Sequence, residues 1–280
     1  MSPPTIQACI IGWPVAHSRS PLIHGHWLKK YGIDGSYVKR PVRPEEAAAF
    51  FRGMREEGLA GCNVTIPHKE AAFSAAAETS EAARAMGAAN TLWFEGGRLC
   101  ADNTDGAGFM RHLGASVPSF DASGCAVAVL GAGGGARGVI HAVLAAGALE
   151  VRVFNRTRDR ADTVARHFGP RVKSFDWRDR VDRSRDVGLL INATSLGMHG
   201  TAQLDMPLAR LADGCVVADL VYVPLETPLL AAARARGLTT VDGLGMLLHQ
   251  ATPGFEKWFG VKPEVTDELR VIIVADIEGR

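Results

Sequence analysis

The stretch Ala126-Val127-Ala128-Val129-Leu130-Gly131-Ala132-Gly133-Gly134-Gly135-Ala136-Arg137-Gly138-Val139-Ile140 carries the reading of the fold. Its five opening apolar residues do not alternate with polar ones, which predicts a strand of a parallel sheet covered on both faces. The glycines end that run, and the spacing of apolar residues over Gly138–Ala146 predicts a helix. Strand, glycine turn and helix match the pattern G-x-G-x-x-A, with Ala136 as the last small residue. In that pattern the glycines let the backbone approach a pyrophosphate, and the free N–H groups and positive dipole end of the helix receive it. Gly131, Ala132, Gly133, Gly134 and Gly135 are therefore candidate cofactor-binding residues.

Downstream, Glu150–Phe154 predicts the next strand. An Asp or Glu at its end would accept hydrogen bonds from a ribose 2′-hydroxyl and mark an NAD site. Here the strand runs into Asn155-Arg156-Thr157-Arg158-Asp159-Arg160. A carboxylate repels a 2′-phosphate, whereas a guanidinium holds one with charge-assisted hydrogen bonds, so the expected cofactor is NADP(H). Arg156 and Arg160 stand four apart and share a face if this segment begins a helix. Further strands at Val187–Ile191, Val216–Asp219 and Thr239–Asp242 alternate with helices at Arg160–Phe168 and Pro228–Arg236. That alternation predicts a doubly wound, Rossmann-type domain over residues 106–245.

Upstream the pattern is α/β without a second fingerprint. Strands are expected at Ile6–Ile11, Ser36–Val42 and Cys62–Ile66, and helices at Pro21–Lys30, Pro44–Glu57 and within Lys69–Met86. Thr91–Phe94 and Arg98–Ala101 flank Glu95-Gly96-Gly97 and read as a hairpin. The tail, Met246–Phe259 and Glu264–Ile277, reads as two helices. The expected organisation is a mixed α/β substrate domain over 1–105, rejoined by residues 246–280, beside the parallel-sheet domain.

Two polar constellations stand in the first domain. Ser18 and Ser20 precede a helix, where hydroxyls cap the helix or donate to an anion. Asn63, Thr65 and Lys69 place an amide, a hydroxyl and an ammonium at one strand–helix junction, while Asn90, Asn103, Thr104 and Asp105 edge the hairpin. Together they offer partners for a polyol and a Lys–Asp pair able to handle protons.

Composition narrows the classes. The 280 residues carry a net charge of +1, with 47% hydrophobic and 22% charged residues. There is no basic stripe to track a phosphate backbone, so no nucleic-acid partner is expected. No apolar run approaches the roughly 18 residues of a membrane span. The five cysteines lack C-x-x-C spacing and read as reduced thiols in a reducing compartment, which makes the cytoplasm the expected location. The His and Cys residues show no ligand spacing, and no metal is expected. A monomer or a homodimer is expected.

The ordered set Ser18-x-Ser20-Pro21, Asn63-Val64-Thr65-x-Pro67-x-Lys69, Asn90-Thr91, Asn103-Thr104-Asp105, the Gly131–Ala136 loop, Asn155-Arg156-Thr157, Asn192-Ala193-Thr194-Ser195-x-Gly197-Met198, Asp219-x-x-Tyr222-x-Pro224 and Asp242-Gly243-x-Gly245-Met246-x-x-x-Gln250 resembles the shikimate dehydrogenase family over nearly the whole chain. That resemblance implies reversible reduction of 3-dehydroshikimate to shikimate with NADPH, a step of aromatic amino acid and chorismate biosynthesis. It implies that Ser18 and Ser20 bind the substrate carboxylate. Thr65, Asn90 and Gln250 would hold its hydroxyls, with Tyr222 nearby and Asn63 in support, and Lys69 and Asp105 would form the catalytic pair. The implied NADP contacts are the glycine loop, Asn155, Arg156, Thr157, Arg160, Gly243 and Met246, with Glu81 a further cofactor position. Two departures fall near the carboxylate end: Gly25 follows His24 where many relatives carry Asn, and Trp13 is bulkier than usual. The alternative is a quinate/shikimate dehydrogenase with broader substrate or NAD use.

Overall fold

Val127, Val129, Leu189, Ile191, Val216 and Ala218 pack into one hydrophobic core, and Ala128, Leu130, Leu190 and Val217 pack into another. Successive residues of the same strands thus face opposite, fully covered sides, which accounts for their unbroken apolar sequence. The structure, a computed structural model, describes residues 5–279. It divides into two units: the chain up to Thr104 together with the stretch from Gln250, and Asp105–His249.

In the first unit, strands β1 (Ile6–Gly12), β2 (Gly35–Pro41), β3 (Leu59–Val64), β4 (Glu78–Thr79), β5 (Thr91–Glu95) and β6 (Arg98–Asp102) form a sheet in the order β2-β1-β3-β5-β6-β4. β1 runs parallel to β2 and β3, and β3 meets β5 antiparallel. β5 and β6 form the hairpin, and both turn glycines, Gly96 and Gly97, have positive φ (56° and 79°). Two left-handed residues in a two-residue loop match the right-handed twist of the strands. Cys9, Ile11, Cys62, Val64, Leu92 and Ala101 bury one face of this sheet under Phe51, Met54 and Ala72.

In the second unit, β7 (Ala126–Leu130), β8 (Glu150–Asn155), β9 (Val172–Asp176), β10 (Leu189–Asn192), β11 (Val216–Asp219) and β12 (Thr239–Val241) form a parallel sheet in the order β12-β11-β10-β7-β8-β9. The chain leaves β7 in one direction through β8 and β9 and returns to its other side through β10. This is the doubly wound order, and its switch point lies at the carboxyl ends of β7 and β10.

The structure departs from the sequence expectations at several places. β9 has no counterpart among the expected strands; it is an edge strand paired with β8 alone, and Lys173 on it is exposed. The helix after the glycine loop spans Gly134–Ala145 and not Gly138–Ala146, because glycine lowers helix propensity without forbidding the helix. The segment expected as one helix over Pro44–Glu57 is a 3₁₀ turn, Pro44–Glu46, followed by a helix that ends at Gly53. The helix expected from Met246 begins at Gly243, where Asp242 Oδ1 accepts from the Leu244 and Gly245 N–H groups at 2.9 and 3.2 Å, and it continues through Pro253 to Phe259. Among the described residues, no helix is long and apolar enough to cross a membrane.

Candidate active site

In the first unit the polar residues gather at the ends of β1, β3 and the hairpin. The helix Ser20–Lys30 starts at Ser20 itself, with Arg19 as its N-cap. Ser18 Oγ accepts the Ser20 N–H and faces Ser20 Oγ, both at 3.3 Å. A cavity of about 470 Å³ opens beside Ser18, lined also by His17, Arg19, Lys39 and Asp276. Three cationic or titratable side chains around a serine hydroxyl suit an anion, although Arg19 already pairs with Asp276 at 2.8 Å. Of the two departures, Gly25 lies on the exposed face of its helix, with no atom within 4 Å of where a Cβ would stand, and Trp13 is 45% exposed under Arg43.

The segment carrying Lys69 is held on three sides. Thr65 N–H donates to Ile11 O at 2.9 Å, and Ala89 N–H donates to the Lys69 carbonyl at 2.8 Å. Buried His68 bonds the Val42 carbonyl through Nε2 at 2.7 Å. A carbonyl only accepts, so Nε2 carries the proton, and this histidine is a tether. Lys69 opens the helix Lys69–Ala75 and is half-buried.

Asn90 joins the hairpin to the tail helix. It is 3% exposed. Its Oδ1 accepts from Thr104 N–H at 2.9 Å and Thr91 Oγ1 at 3.0 Å, and its Nδ2 donates to Thr104 Oγ1 at 3.1 Å and Gln250 Oε1 at 3.4 Å. Thr104 Oγ1 in turn donates to the Gln250 carbonyl at 2.8 Å. Asn63 is fully engaged: Nδ2 donates to Asn90 O and to Thr91 Oγ1, both at 3.1 Å, and Oδ1 accepts from Tyr37 Oη at 2.6 Å. Sequence reasoning places Thr104 among the polar residues at the hairpin edge but assigns no site role to Tyr37, which carries no local signal that would have done so. Glu81 stands exposed on the first turn of the helix Glu81–Met86.

In the second unit, Gly131 follows β7 with φ +110°, and its N–H donates to Phe154 O at 2.7 Å. A Cβ there would stand 2.8 Å from the Ala193 carbonyl, so conformation and space both require glycine. Beyond it the loop opens: Cβ atoms on Gly133 or Gly134 would meet nothing within 4 Å. No side chain caps the helix Gly134–Ala145, and fully buried Ala136 lets it pack on the sheet. This is a backbone cradle with free space at a helix N-terminus.

At the end of β8, Asn155 Nδ2 donates to Thr157 O at 2.8 Å and folds the turn. The next helix starts at Arg158, so Arg156 precedes it, and the shared helical face expected for Arg156 and Arg160 does not exist. Both side chains are nonetheless exposed and have no ion-pair partner among the described residues. Arg158 differs: it bonds Asp162 at 2.8 Å and Asp176 and Ser174 at 3.4 and 3.3 Å. Gly243 packs against the loop after β11, where a Cβ would lie 2.4 Å from the Leu220 carbonyl. Met246 packs on the sheet core, and half-buried Tyr222 sits on the loop after β11.

That loop is anchored by Asp219, 1% exposed. Its carboxylate accepts from Asn192 Nδ2 and Val221 N–H, both at 2.9 Å, and from Thr227 Oγ1 at 2.7 Å. Burial pushes its pKa up to about 6 despite these bonds. A carboxyl raised in the folded state contributes stability that is present in full below its unfolded pKa and lost as pH rises through about 6. Asp219→Asn keeps the shape without titrating. Thermal melts should show a shallower fall in stability between about pH 4 and pH 6 for the variant than for the parent, a difference on the order of 3 kcal/mol across that window.

Among the described residues no group of three or more His, Cys, Asp or Glu side chains could hold a metal ion. The Gly131 turn, the open space over Gly133 and Gly134, and the guanidiniums after β8 without ion-pair partners among the described residues fit a phosphorylated dinucleotide. Fold and site thus define a two-unit α/β protein of the dinucleotide-binding class. Residues 10–92 match the model described as shikimate dehydrogenase substrate binding domain, residues 115–199 that of shikimate / quinate 5-dehydrogenase, and residues 243–267 that of the shikimate 5′-dehydrogenase C-terminal domain. The chain belongs to the shikimate dehydrogenase family. It is 56% identical over 275 residues to the shikimate dehydrogenase (NADP(+)) of Azorhizobium caulinodans, covering 98% of each chain. The crystal structure of shikimate 5-dehydrogenase from Thermus thermophilus in complex with NADP(H) and shikimate is similar with a TM-score of 0.85 at 34% identity, over 98% of this chain and all of that one. Quinate dehydrogenase from Corynebacterium glutamicum in complex with NAD is similar with a TM-score of 0.88 at 28% identity, over 96% and 99% of the two chains.

Proposed function

We propose that this chain is an NADP-dependent oxidoreductase that reduces 3-dehydroshikimate to shikimate, reversibly. The observation that supports the reading is the setting of Lys69: its backbone carbonyl accepts from Ala89, the residue before Asn90, so the Lys69 backbone is fixed beside the residue that starts the amide–hydroxyl cluster of Asn90, Thr104 and Gln250. A polyol needs such a cluster, and a ketone under reduction needs an ammonium like that of Lys69.

In this reading Ser18 and Ser20 hold the carboxylate of the substrate, while Thr65, Asn90, Gln250 and Tyr222 hold its hydroxyls. When bound, NADPH supplies the hydride. The glycine loop and the helix that follows it hold the pyrophosphate, Arg156 and Arg160 the 2′-phosphate, and Asn155, Thr157, Gly243 and Met246 the rest of the cofactor. Lys69 stabilises the charge that develops on the ketone oxygen and gives that oxygen a proton, an effect worth about 10²–10⁴-fold in rate. Asp105 is the carboxylate that the family resemblance pairs with Lys69 in catalysis. In the oxidising direction the same ammonium, once deprotonated, takes the hydroxyl proton. Thr65, one turn ahead of Lys69, keeps the substrate hydroxyl in line. The cytoplasm is the proposed location, and the protein acts as a monomer or homodimer.

Absorbance at the reduced-nicotinamide band tests the reading, with shikimate or quinate each paired with NADP+ or NAD+. Turnover confined to shikimate with NADP+ is expected. Comparable turnover of quinate or NAD+ would move the assignment to the broader enzyme of the same family.

A further inference from the structure

We infer that Tyr37, on a strand outside every proposed substrate contact, is a positioning residue that secures the hydroxyl-binding amides in place. The inference rests on the substrate site proposed above.

Tyr37 is 7% exposed and its ring stacks on His24 with centroids 3.9 Å apart. His24 is wholly buried, among Trp27, Phe255 and Trp258. The register explains the placement. Tyr37 pairs with Ala8 of β1, Ile10 of β1 pairs with Asn63 of β3, and Asn63 pairs with Thr91 of β5. The phenol therefore reaches across β1 to the Asn63 side chain, where Tyr37 Oη donates to Oδ1 at 2.6 Å.

The Asn90 carbonyl, which only accepts, draws the Asn63 Nδ2 to its side, and the Tyr37 phenol holds the amide there by donating to Oδ1. With its oxygen on the phenol, its Nδ2 faces two acceptors, Asn90 O and Thr91 Oγ1. Turned over, the amide would set its oxygen against the Asn90 carbonyl and lose the bond that the phenol donates. Thr91 Oγ1 passes the constraint on by donating to Asn90 Oδ1 at 3.0 Å, and Asn90 Nδ2 reaches Gln250 Oε1. The Ser20 hydroxyl also meets the Tyr37 phenol, so the same ring touches the segment proposed to bind the carboxylate. Burial, together with the nearby Cys9 and Cys62 thiols, keeps the phenol protonated and hence a donor. Burial likewise holds the His24 pKa down to about 3, so the stacked ring adds no charge.

Tyr37→Phe keeps the ring and its stacking and deletes the hydroxyl that donates to Asn63 and meets Ser20. Steady-state kinetics in the oxidising direction should show the KM for shikimate rising about tenfold, as expected for one lost buried hydrogen bond, with kcat within about threefold and the KM for NADP+ unchanged. Asn63→Ala, a second variant on the same path, should raise the shikimate KM by a similar factor, and the double variant should be no worse than the poorer single one. A residue that merely supports the fold would lower the melting temperature without moving the shikimate KM selectively. A parental shikimate KM in either single variant, or multiplied losses in the double variant, would overturn the assignment. If the parent enzyme itself failed to turn over shikimate, the functional reading would fall first; normal parental turnover with a silent Tyr37→Phe removes this inference alone.

Discussion

Lys69→Ala is expected to lower kcat for shikimate oxidation with NADP+ by about 10²–10⁴-fold while leaving the KM for NADP+ close to the parental value. The expectation follows from the division of labour between the groups. Burial and hydrogen bonding commit Asn63, Asn90 and Thr104 to one another. His68, the histidine next to Lys69, is buried and bonds the Val42 carbonyl. In the proposed mechanism the Lys69 ammonium gives the proton to the ketone oxygen, and its backbone is fixed independently of its side chain by Ala89 and, through His68, by Val42. Truncation at Cβ should therefore leave the fold intact. The initial rate of NADPH formation at saturating substrate measures the effect, and retention of more than about a tenth of the parental rate would remove Lys69 from the proton-transfer role.

The second large effect is expected at the cofactor. Arg156→Ala deletes a guanidinium that has no ion-pair partner to compensate it among the described residues. A hydrogen bond to a charged group contributes about 1.5–3 kcal/mol, so the KM for NADP+ should rise about 10- to 150-fold. The KM for NAD+, which has no 2′-phosphate, should stay put, and cofactor preference should narrow by the same factor. Arg158→Ala is the internal comparison. Its guanidinium is already taken by Asp162, Asp176 and Ser174, so its removal should leave the NADP+ KM unchanged. An equal loss with both cofactors in Arg156→Ala would place that arginine in a structural role.

The parallel-sheet unit was legible because its signals are local. An unbroken apolar run means a strand covered on both faces, and a glycine turn before a helix means a backbone cradle. β9 escaped notice because an edge strand alternates, with Val172 buried and Lys173 exposed, and so resembles a surface turn. The start of the helix at Gly134 was obscured by the very glycines that open the cradle. Sequence spacing singles out Arg156 and Arg160 through a shared helical face. Arg156 precedes the helix, and what distinguishes both from Arg158 is that no described carboxylate pairs with them, a three-dimensional property.

The substrate-side residues were less legible. Lys69 and Asn90 stand out as polar residues at element edges, but which atoms of Asn63 are spent, and on what, depends on register between strands separated by more than twenty residues. Tyr37 is the extreme case. Nothing in Gly35–Pro41 marks it, and its relation to Asn63 exists only because β1 lies between β2 and β3.

The fate of one hydrogen tests hydride transfer from shikimate to NADP+ most directly. Shikimate carrying deuterium at the carbon that becomes the ketone is incubated with the protein and NADP+, and the reduced nicotinamide is weighed by mass spectrometry. The reduced cofactor should be one mass unit heavier than that formed from unlabelled shikimate, with none formed by Lys69→Ala on the same timescale. Reduced cofactor without the label, or no reduction by the parent protein, would contradict that hydride transfer.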